Sequence, residues 1–144
     1  MDTKGKIARE YFEQGYACSQ AVALAFTKEL NMSEDTVKKA LIGFGGGFGR
    51  QRLVCGAVSG MTFVLGCLKS DGHDKKFIYK IIQDASSEIK ERIGSLICSE
   101  ILKGKVEVNT SAIPDERTSE YYKKRPCGEV VEIIADITQK YLNI

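Results

Sequence analysis

The sequence predicts an all-α protein, a compact single-domain bundle of about six or seven helices with a long loop before the C-terminal helix. Three observations support this fold class. Apolar residues recur every three or four positions along most of the chain, which is the period of an amphipathic helix. Strand signals are almost absent, and the segment KVEV at 105–108 is the only candidate. The length of 144 residues suits one domain with one core, which we assign to residues 1–144.

The N-terminal half is predicted to contain four helices. Residues 3–13 form a short amphipathic helix, and residues 17–30 form a second one with apolar residues at helical spacing. A third helix lies within residues 31–44, where Ser33 is a typical N-cap because acidic residues follow it in the first turn. That helix ends in a glycine-rich loop, and residues 52–69 then form a central helix that is rich in small residues.

The C-terminal half contains the clearest amphipathic helix, over residues 74–92, with an apolar stripe along one side. Gly94 is a suitable residue to end it, and Ser95 is a suitable N-cap for a short helix that follows. Residues 103–126 lack a helical period and contain both prolines. A connection of this length usually forms a functional loop or a lid. The last helix is predicted over residues 127–142.

Charge and hydropathy exclude several function classes. The net charge of +2 is too small to indicate a nucleic-acid partner. The longest apolar run, residues 53–68, is shorter than the roughly 18 residues that suggest a membrane span, so we expect no membrane insertion. The first ten residues, MDTKGKIARE, are polar and do not resemble a secretory leader. We therefore expect a cytoplasmic protein, in which thiols are kept reduced.

Four of the five cysteines fall near predicted helix starts. Unpaired N–H groups and the helix dipole favour negative charge there, so a thiol at such a position loses its proton more easily. The thiolate is both the nucleophile and the metal ligand in cysteine chemistry. Since the chain has no Cys-x-x-Cys pair, a shared site would be assembled from distant segments. The candidate catalytic residues, which are also the candidate metal ligands, are Cys18, Cys55, Cys98 and Cys127.

The fifth cysteine, Cys67, is predicted to be a small core residue. It follows Cys55 by twelve positions on one predicted helix, which places the two thiols about 18 Å apart. Among the other four, Cys55 is the favoured attacking thiolate, because Arg50 and Arg52 lie just before it. For each cysteine taken singly, inert packing in the core is the alternative, since free cysteine is among the most buried residues.

Basic residues also precede the last of the four cysteines. Lys123, Lys124 and Arg125 are expected to add positive potential beside Cys127.

The glycine-rich segment at 43–49 is expected to let backbone N–H groups face a sulfur or a cluster. Phosphate binding is an alternative, but no G-x-G-x-x-G spacing and no Gly-Lys-Ser/Thr sequence supports it. A flexible linker anchored by Phe44 and Phe48 is the other alternative. The candidate cofactor-binding residues are Gly45, Gly46, Gly47, Gly49, Arg50 and Gly56.

The order of these landmarks resembles the C_GCAxxG_C_C family of redox-active proteins. GY precedes Cys18, the block CGAVSG begins at Cys55, GSLICSEIL contains Cys98, and RPCGEVVE contains Cys127. The resemblance covers residues 10–140, nearly the whole chain, and leaves Cys67 as an additional cysteine. It implies a small helical protein with a redox or metal-handling role, and it implies no particular reaction, so whether the protein is an enzyme stays open.

Two mechanisms fit four such cysteines. They could bind an iron–sulfur cluster or another thiolate-bound metal and transfer electrons. They could equally cycle as dithiol and disulfide pairs with no cofactor. Either mechanism calls for a redox partner protein or oxidoreductase, and a homo-oligomer is compatible with both. The alternative from another class is a non-catalytic helical binding or assembly module with structural cysteines, and a third is an anion- or nucleotide-binding protein that uses the glycine loop.

Overall fold

The protein is described by a computed structural model that covers residues 2–144. Within these residues the chain is all-helical, with nine α-helices, one 3₁₀ turn at Ile42–Phe44 and no β-strand. This confirms the predicted fold class with a few more helices than expected. The helices are α1 (Lys4–Glu13), α2 (Cys18–Leu24), α3 (Thr27–Leu30), α4 (Glu34–Leu41), α5 (Gly56–Lys69), α6 (Lys75–Ile93), α7 (Cys98–Leu102), α8 (Ser119–Lys124) and α9 (Cys127–Leu142).

Ser33 and Gly94 lie at helix ends as predicted, and Asp74, which was predicted to be helical, is the N-cap of α6. The Ser33 side chain accepts a hydrogen bond from the Thr36 N–H at the start of α4. The Asp74 carboxylate does the same for the Phe77 N–H at the start of α6. Gly94, with a φ of 102°, ends α6 in the left-handed conformation that glycine adopts most easily.

Some boundaries differ from the prediction. The predicted helix over residues 17–30 is divided into α2 and α3, and the central helix begins at Gly56 rather than at residue 52. The segment at 105–108 forms no strand, and the predicted loop over 103–126 contains α8. Local apolar spacing therefore located the helices but overestimated the length of two of them.

The start of α7 is also later than predicted, because Ser95 does not cap it. Ile97 occupies the N-cap position instead. The Ser95 hydroxyl accepts a hydrogen bond from the Ile97 N–H and bonds to the Glu100 carboxylate. Ser95 therefore shapes the turn before α7 rather than its first helical turn.

The glycine-rich segment and the residues that follow it, 43–53, form a left-handed turn that is held by its own backbone hydrogen bonds, and we call these residues the glycine-rich turn. The Gly49 N–H donates to the Gly43 carbonyl at 2.8 Å, and the Leu53 N–H donates to the Gly47 carbonyl at 2.9 Å. A left-handed conformation costs a non-glycine residue about 1–2 kcal/mol. The residues with positive φ in this segment are Gly46, Gly47, Phe48, Gly49, Arg50 and Arg52.

Helices α1, α2, α5 and α9 pack around one another to form the core, and α6 packs against α5 and α9. Small residues on α5 allow its close approach to α2. A Cβ atom at Gly60 would lie 2.7 Å from the Ser19 carbonyl oxygen, and one at Gly56 would lie 3.1 Å from the Ser19 nitrogen. This contact brings the first turns of α2 and α5 together, which positions Cys18 near Cys55.

Across the described residues, 2–144, no helix combines the length and the apolar character needed to cross a bilayer.

Candidate functional site

One cavity collects the four cysteines that lie at helix starts. Cys18, Cys98 and Cys127 are the first residues of α2, α7 and α9, and Cys55 is the residue that precedes α5. All four line a cavity of ≈ 520 Å³. The four are free thiols. Residues that are separated by up to 109 positions in the sequence therefore surround one space.

Two segments contribute most of the remaining wall, which also includes residues of α2, α7 and α9. Every candidate cofactor-binding residue of the sequence analysis lines the cavity: the glycine-rich turn contributes five of them together with Arg52, and α5 contributes Gly56. The second segment is the connection before α9, and we call residues 109–125 the covering segment. Its lining residues are Ala112, Pro114, Asp115, Arg117, Tyr121 and Arg125.

The starts of α5 and α7 are fixed to each other by backbone hydrogen bonds. The Cys98 N–H donates to the Leu53 carbonyl at 2.6 Å, and the Cys55 N–H donates to the Leu96 carbonyl at 2.8 Å. The turn passes so close that a Cβ atom at Gly47 would lie 2.7 Å from the Cys98 Cβ. Glycine at position 47 is therefore needed for two of the four thiols to share this wall.

Cys127 is the thiol most readily ionised. A hydrogen bond from Cys18 is the largest cause that lowers the pKa of Cys127, and the guanidinium groups of Arg125, Arg117 and Arg52 add to it, so that this pKa falls to about 7 despite burial. The same hydrogen bond and burial raise the pKa of Cys18 well above its usual range. The two residues thus form a pair in which one sulfur is readily anionic and its neighbour keeps the proton.

Cys55 does not have the role that the sequence analysis gave it. It is 6% exposed, and burial raises its pKa to about 12, although the N–H groups of Ala57 and Val58 oppose the rise. The thiol that ionises most readily is therefore Cys127 and not Cys55. The prediction was wrong because proximity in sequence to Arg50 and Arg52 does not bring their guanidinium groups to this sulfur.

Those two arginines have other partners. Arg52 Nη1 donates to Cys98 Sγ at 3.7 Å. Burial raises the pKa of Cys98, and the charge of Arg52 opposes that rise. Arg50 instead donates to the carbonyls of Ser111 and Ile113 in the covering segment.

Arginines hold the covering segment in place. Asp115 Oδ2 lies 3.0 Å from Arg50 Nη2 on the glycine-rich turn, and it also lies 2.7 Å from Arg125 Nη2 at the end of the covering segment itself. Arg117 donates to the carbonyls of Phe12 and Tyr16, 3.0 Å away in each case. Arg50 and Arg117 therefore link the covering segment to the rest of the protein, and the Asp115–Arg125 pair links its two ends.

Two further expectations can be compared with the structure. Cys67 is exposed rather than part of the core, and it does not line the cavity. This prediction was wrong because Cys67 lies on the outer side of α5. Of the basic residues just before Cys127, Arg125 helps to lower the pKa of the Cys127 thiol. Lys124 instead pairs with the exposed Glu120.

A single metal ion has no ready ligand set. Within residues 2–144, no group of three or more His, Cys, Asp or Glu side chains is close enough to hold one ion. The four thiols stand around the cavity and not at one point.

Sequence reasoning missed the two charged residues at the centre of the covering segment, Asp115 and Arg117. The segment lacks the periodicity from which a buried face can be inferred. The only available signal was the unusual length of the connection.

Comparison with known proteins agrees with the cysteine pattern. The family model described as "Putative redox-active protein (C_GCAxxG_C_C)" matches residues 16–141, which include all four cysteines of the cavity. Neither the curated proteins nor the solved structures gave a match. Because the family model covers most of its length, this chain belongs to the C_GCAxxG_C_C family of redox-active proteins.

Proposed function

We propose that the cavity is an electron-transfer site in which four cysteines together bind an iron–sulfur cluster. The observation that carries the proposal is the convergence of Cys18, Cys55, Cys98 and Cys127, each at the start of a different helix, on one cavity. Four cysteine thiolates are the usual ligand set of such clusters.

The chemistry of the cavity wall fits a cluster better than a single ion. A cluster places several metal atoms between its thiolates, so its ligands stand farther apart than those of one ion. The cavity of ≈ 520 Å³ has room for such a group. The four arginines and one aspartate of the wall supply net positive charge, which offsets the negative charge of four thiolates.

A bound cluster would supply one-electron transfer at this site. The residues of the chain have three tasks around it. The four cysteines are the ligands, Arg52, Arg117 and Arg125 offset negative charge, and the covering segment limits the access of water. The proposed electron donor or acceptor is a redox partner protein or an oxidoreductase.

A second candidate function, dithiol–disulfide exchange, is favoured by the Cys18–Cys127 pair. The Cys127 thiolate would attack one sulfur of a disulfide substrate, forming a mixed disulfide and releasing a thiolate that takes the Cys18 proton. Cys18 would then attack Cys127, forming the Cys18–Cys127 disulfide and releasing the second substrate thiolate. Two electrons pass to the substrate. A low-pKa thiolate beside a protonated thiol is the arrangement this reaction needs.

Purification without oxygen, followed by iron and sulfide analysis and an absorption spectrum, separates the two candidates. The cluster proposal expects iron and sulfide in the wild-type protein and in Cys67→Ser, which serves as the matched control because Cys67 is outside the cavity. It expects their loss in Cys98→Ser and Cys127→Ser.

A metal-free, colourless protein that forms a reversible Cys18–Cys127 disulfide would support exchange and contradict the cluster. Serine variants at the four positions that alter only stability, with neither bound iron nor thiol redox chemistry, would instead identify a binding or assembly module.

A further inference from the structure

Arg52 is unusual because it is a charged residue in the interior. It is 6% exposed and lines the cavity. Burying a guanidinium group is costly unless it is hydrogen-bonded or paired with an anion. Its partners are the Asn109 carbonyl oxygen, 2.9 Å from Nε, and Cys98 Sγ, 3.7 Å from Nη1. Neither partner is a carboxylate, so the Cys98 sulfur is a polar contact and not a counter-charge. The readily ionised thiol near Arg52 is Cys127, whose pKa the charge of Arg52 helps to lower.

The backbone around Arg52 is arranged to hold it there. Its φ of 62° is in the left-handed region, which is unfavourable for a residue other than glycine. The Arg52 carbonyl accepts a hydrogen bond from the Ser99 N–H at 3.2 Å. A Cβ atom at Gly47 would lie 2.8 Å from the Arg52 Cα. Unfavourable backbone conformation and close packing thus both serve to place this side chain between α7 and the covering segment.

We propose that Arg52 is a positioning residue that holds the Cys98 sulfur at the cavity wall and, through the same guanidinium group, fastens the covering segment above it. The inference rests on the proposed function only in assigning Cys98 to the redox site. Arginine suits this task because its planar group has separate N–H donors in fixed directions, so Nε and Nη1 reach two partners at once.

One consequence is that the two contacts depend on each other. When the Arg52–Cys98 contact is lost, the guanidinium group is no longer held in the orientation that bonds Asn109. When the Asn109 bond is lost, the sulfur loses the group that fixes it. The covering segment and one thiol of the site therefore move together.

The experiment uses the reduced, metal-free protein, so its outcome does not depend on which redox function holds. Hydrogen–deuterium exchange measures the opening of the covering segment, and mass spectrometry measures maleimide labelling of each cysteine. In Arg52→Gln we expect exchange around Asn109 and labelling of Cys98 to rise about tenfold, the loss expected for a hydrogen bond that involves a charged group. Labelling of Cys67, which is already exposed, gives the reference rate of the reagent.

Arg50→Gln is the matched control. Arg50 lies on the same turn with a φ of 61°, and it bonds the same covering segment but contacts no sulfur. We expect exchange to rise around Ser111 and Asp115 while labelling of Cys98 stays within about twofold of wild type. If Arg50→Gln exposes Cys98 as much as Arg52→Gln does, the sulfur follows general loosening of the segment and the proposal is wrong.

Two further variants keep the proposal testable if Arg52→Gln does not fold. Arg52→Lys keeps the charge but has one donor group, so we expect it to lose protection around Asn109 as the glutamine variant does. Cys98→Ala removes the sulfur alone, and we expect faster exchange around Asn109. Wild-type exchange in both variants would overturn the coupling. If iron is bound, the reduction potential is a further measurement. A shift of the potential in Arg52→Gln that is absent in Arg52→Lys would assign the shift to the charge of Arg52 and not to the geometry of its two hydrogen bonds.

Discussion

The carbonyl oxygen of Ser19 occupies the space that a side chain on Gly60 would need: a Cβ atom there would lie 2.7 Å away. Gly60→Ala should therefore push α5 away from α2. We expect a loss of about 1–3 kcal/mol in the free energy of unfolding from overpacking, which exceeds the roughly 1 kcal/mol that alanine gains over glycine in a helix. Urea unfolding of the variant and the wild type measures the difference.

Gly66→Ala on the same helix is the control for this prediction. A Cβ atom at Gly66 would have no neighbour within 4 Å. The substitution should stabilise the protein by up to about 1 kcal/mol through helix propensity alone. Similar effects of the two substitutions would mean that α2 and α5 can separate at no cost, which would contradict the close contact that positions Cys18 and Cys55.

Gly47→Ala should damage both the turn and the thiol site. The φ of 72° is unfavourable for alanine, and the new methyl group would lie 2.7 Å from the Cys98 Cβ. We expect a loss of at least about 1–2 kcal/mol from the backbone conformation alone, with faster maleimide labelling of Cys98 as α7 is displaced.

Gly104→Ala isolates the conformational part of that effect, because its φ is +79° and a Cβ atom there would have no neighbour within 4 Å. It should cost about 1–2 kcal/mol and leave Cys98 labelling unchanged. Equal losses and equal labelling in the two variants would show that the contact between Gly47 and Cys98 has no structural importance.

The pH dependence of alkylation should single out Cys127. Its pKa of about 7 means that the thiolate fraction, and with it the rate of iodoacetamide labelling, rises to half its maximum near pH 7. Burial and the hydrogen bond to Cys127 raise the pKa of Cys18, so its labelling should increase only in alkali. Peptide mass spectrometry after timed labelling over a range of pH gives both profiles from one sample.

Cys18→Ala tests the cause of the lowered pKa. Removal of the hydrogen bond should move the Cys127 midpoint upward, because burial, which raises this pKa, is then opposed by the arginine charges alone. An unchanged midpoint would mean that the arginines alone stabilise the thiolate, and the exchange mechanism would lose its specific pair.

The elements that the sequence predicted well are those decided by local chemistry. Ser33 caps α4 because its side chain accepts a hydrogen bond from the Thr36 N–H, and Gly94 ends α6 because glycine adopts the left-handed conformation easily. The placement of the four cysteines at helix starts followed from the same kind of signal.

The partners of the arginines could not be predicted, because they depend on contacts between distant segments. Arg52 precedes Cys55 closely in sequence, yet its left-handed backbone directs the side chain to Cys98, 46 residues further on. The burial of Cys55 also depends on contacts between distant segments. The helix start that should acidify Cys55 is enclosed by the packing of α5 against α2, and desolvation outweighs the N–H groups of the first turn.

The stability of the protein in alkali should depend on Cys55. Its native pKa is raised to about 12 by burial, whereas the thiol in the unfolded chain releases its proton near its usual pKa of 9.0. Between these two values the native state holds a proton that the unfolded state has lost, so the free energy of unfolding decreases as pH rises from about 9 to 12.

Cys55→Ala should reduce that decrease by about 1.4 kcal/mol per pH unit. Urea unfolding of both proteins at several pH values gives the two slopes. The raised pKa values of Cys18 and Cys98 contribute to both slopes, so the difference between the slopes reports Cys55 together with its electrostatic effect on Cys18. Parallel slopes would show that Cys55 ionises in the native state as easily as in the unfolded chain, and hence that the cavity wall around it is open to water.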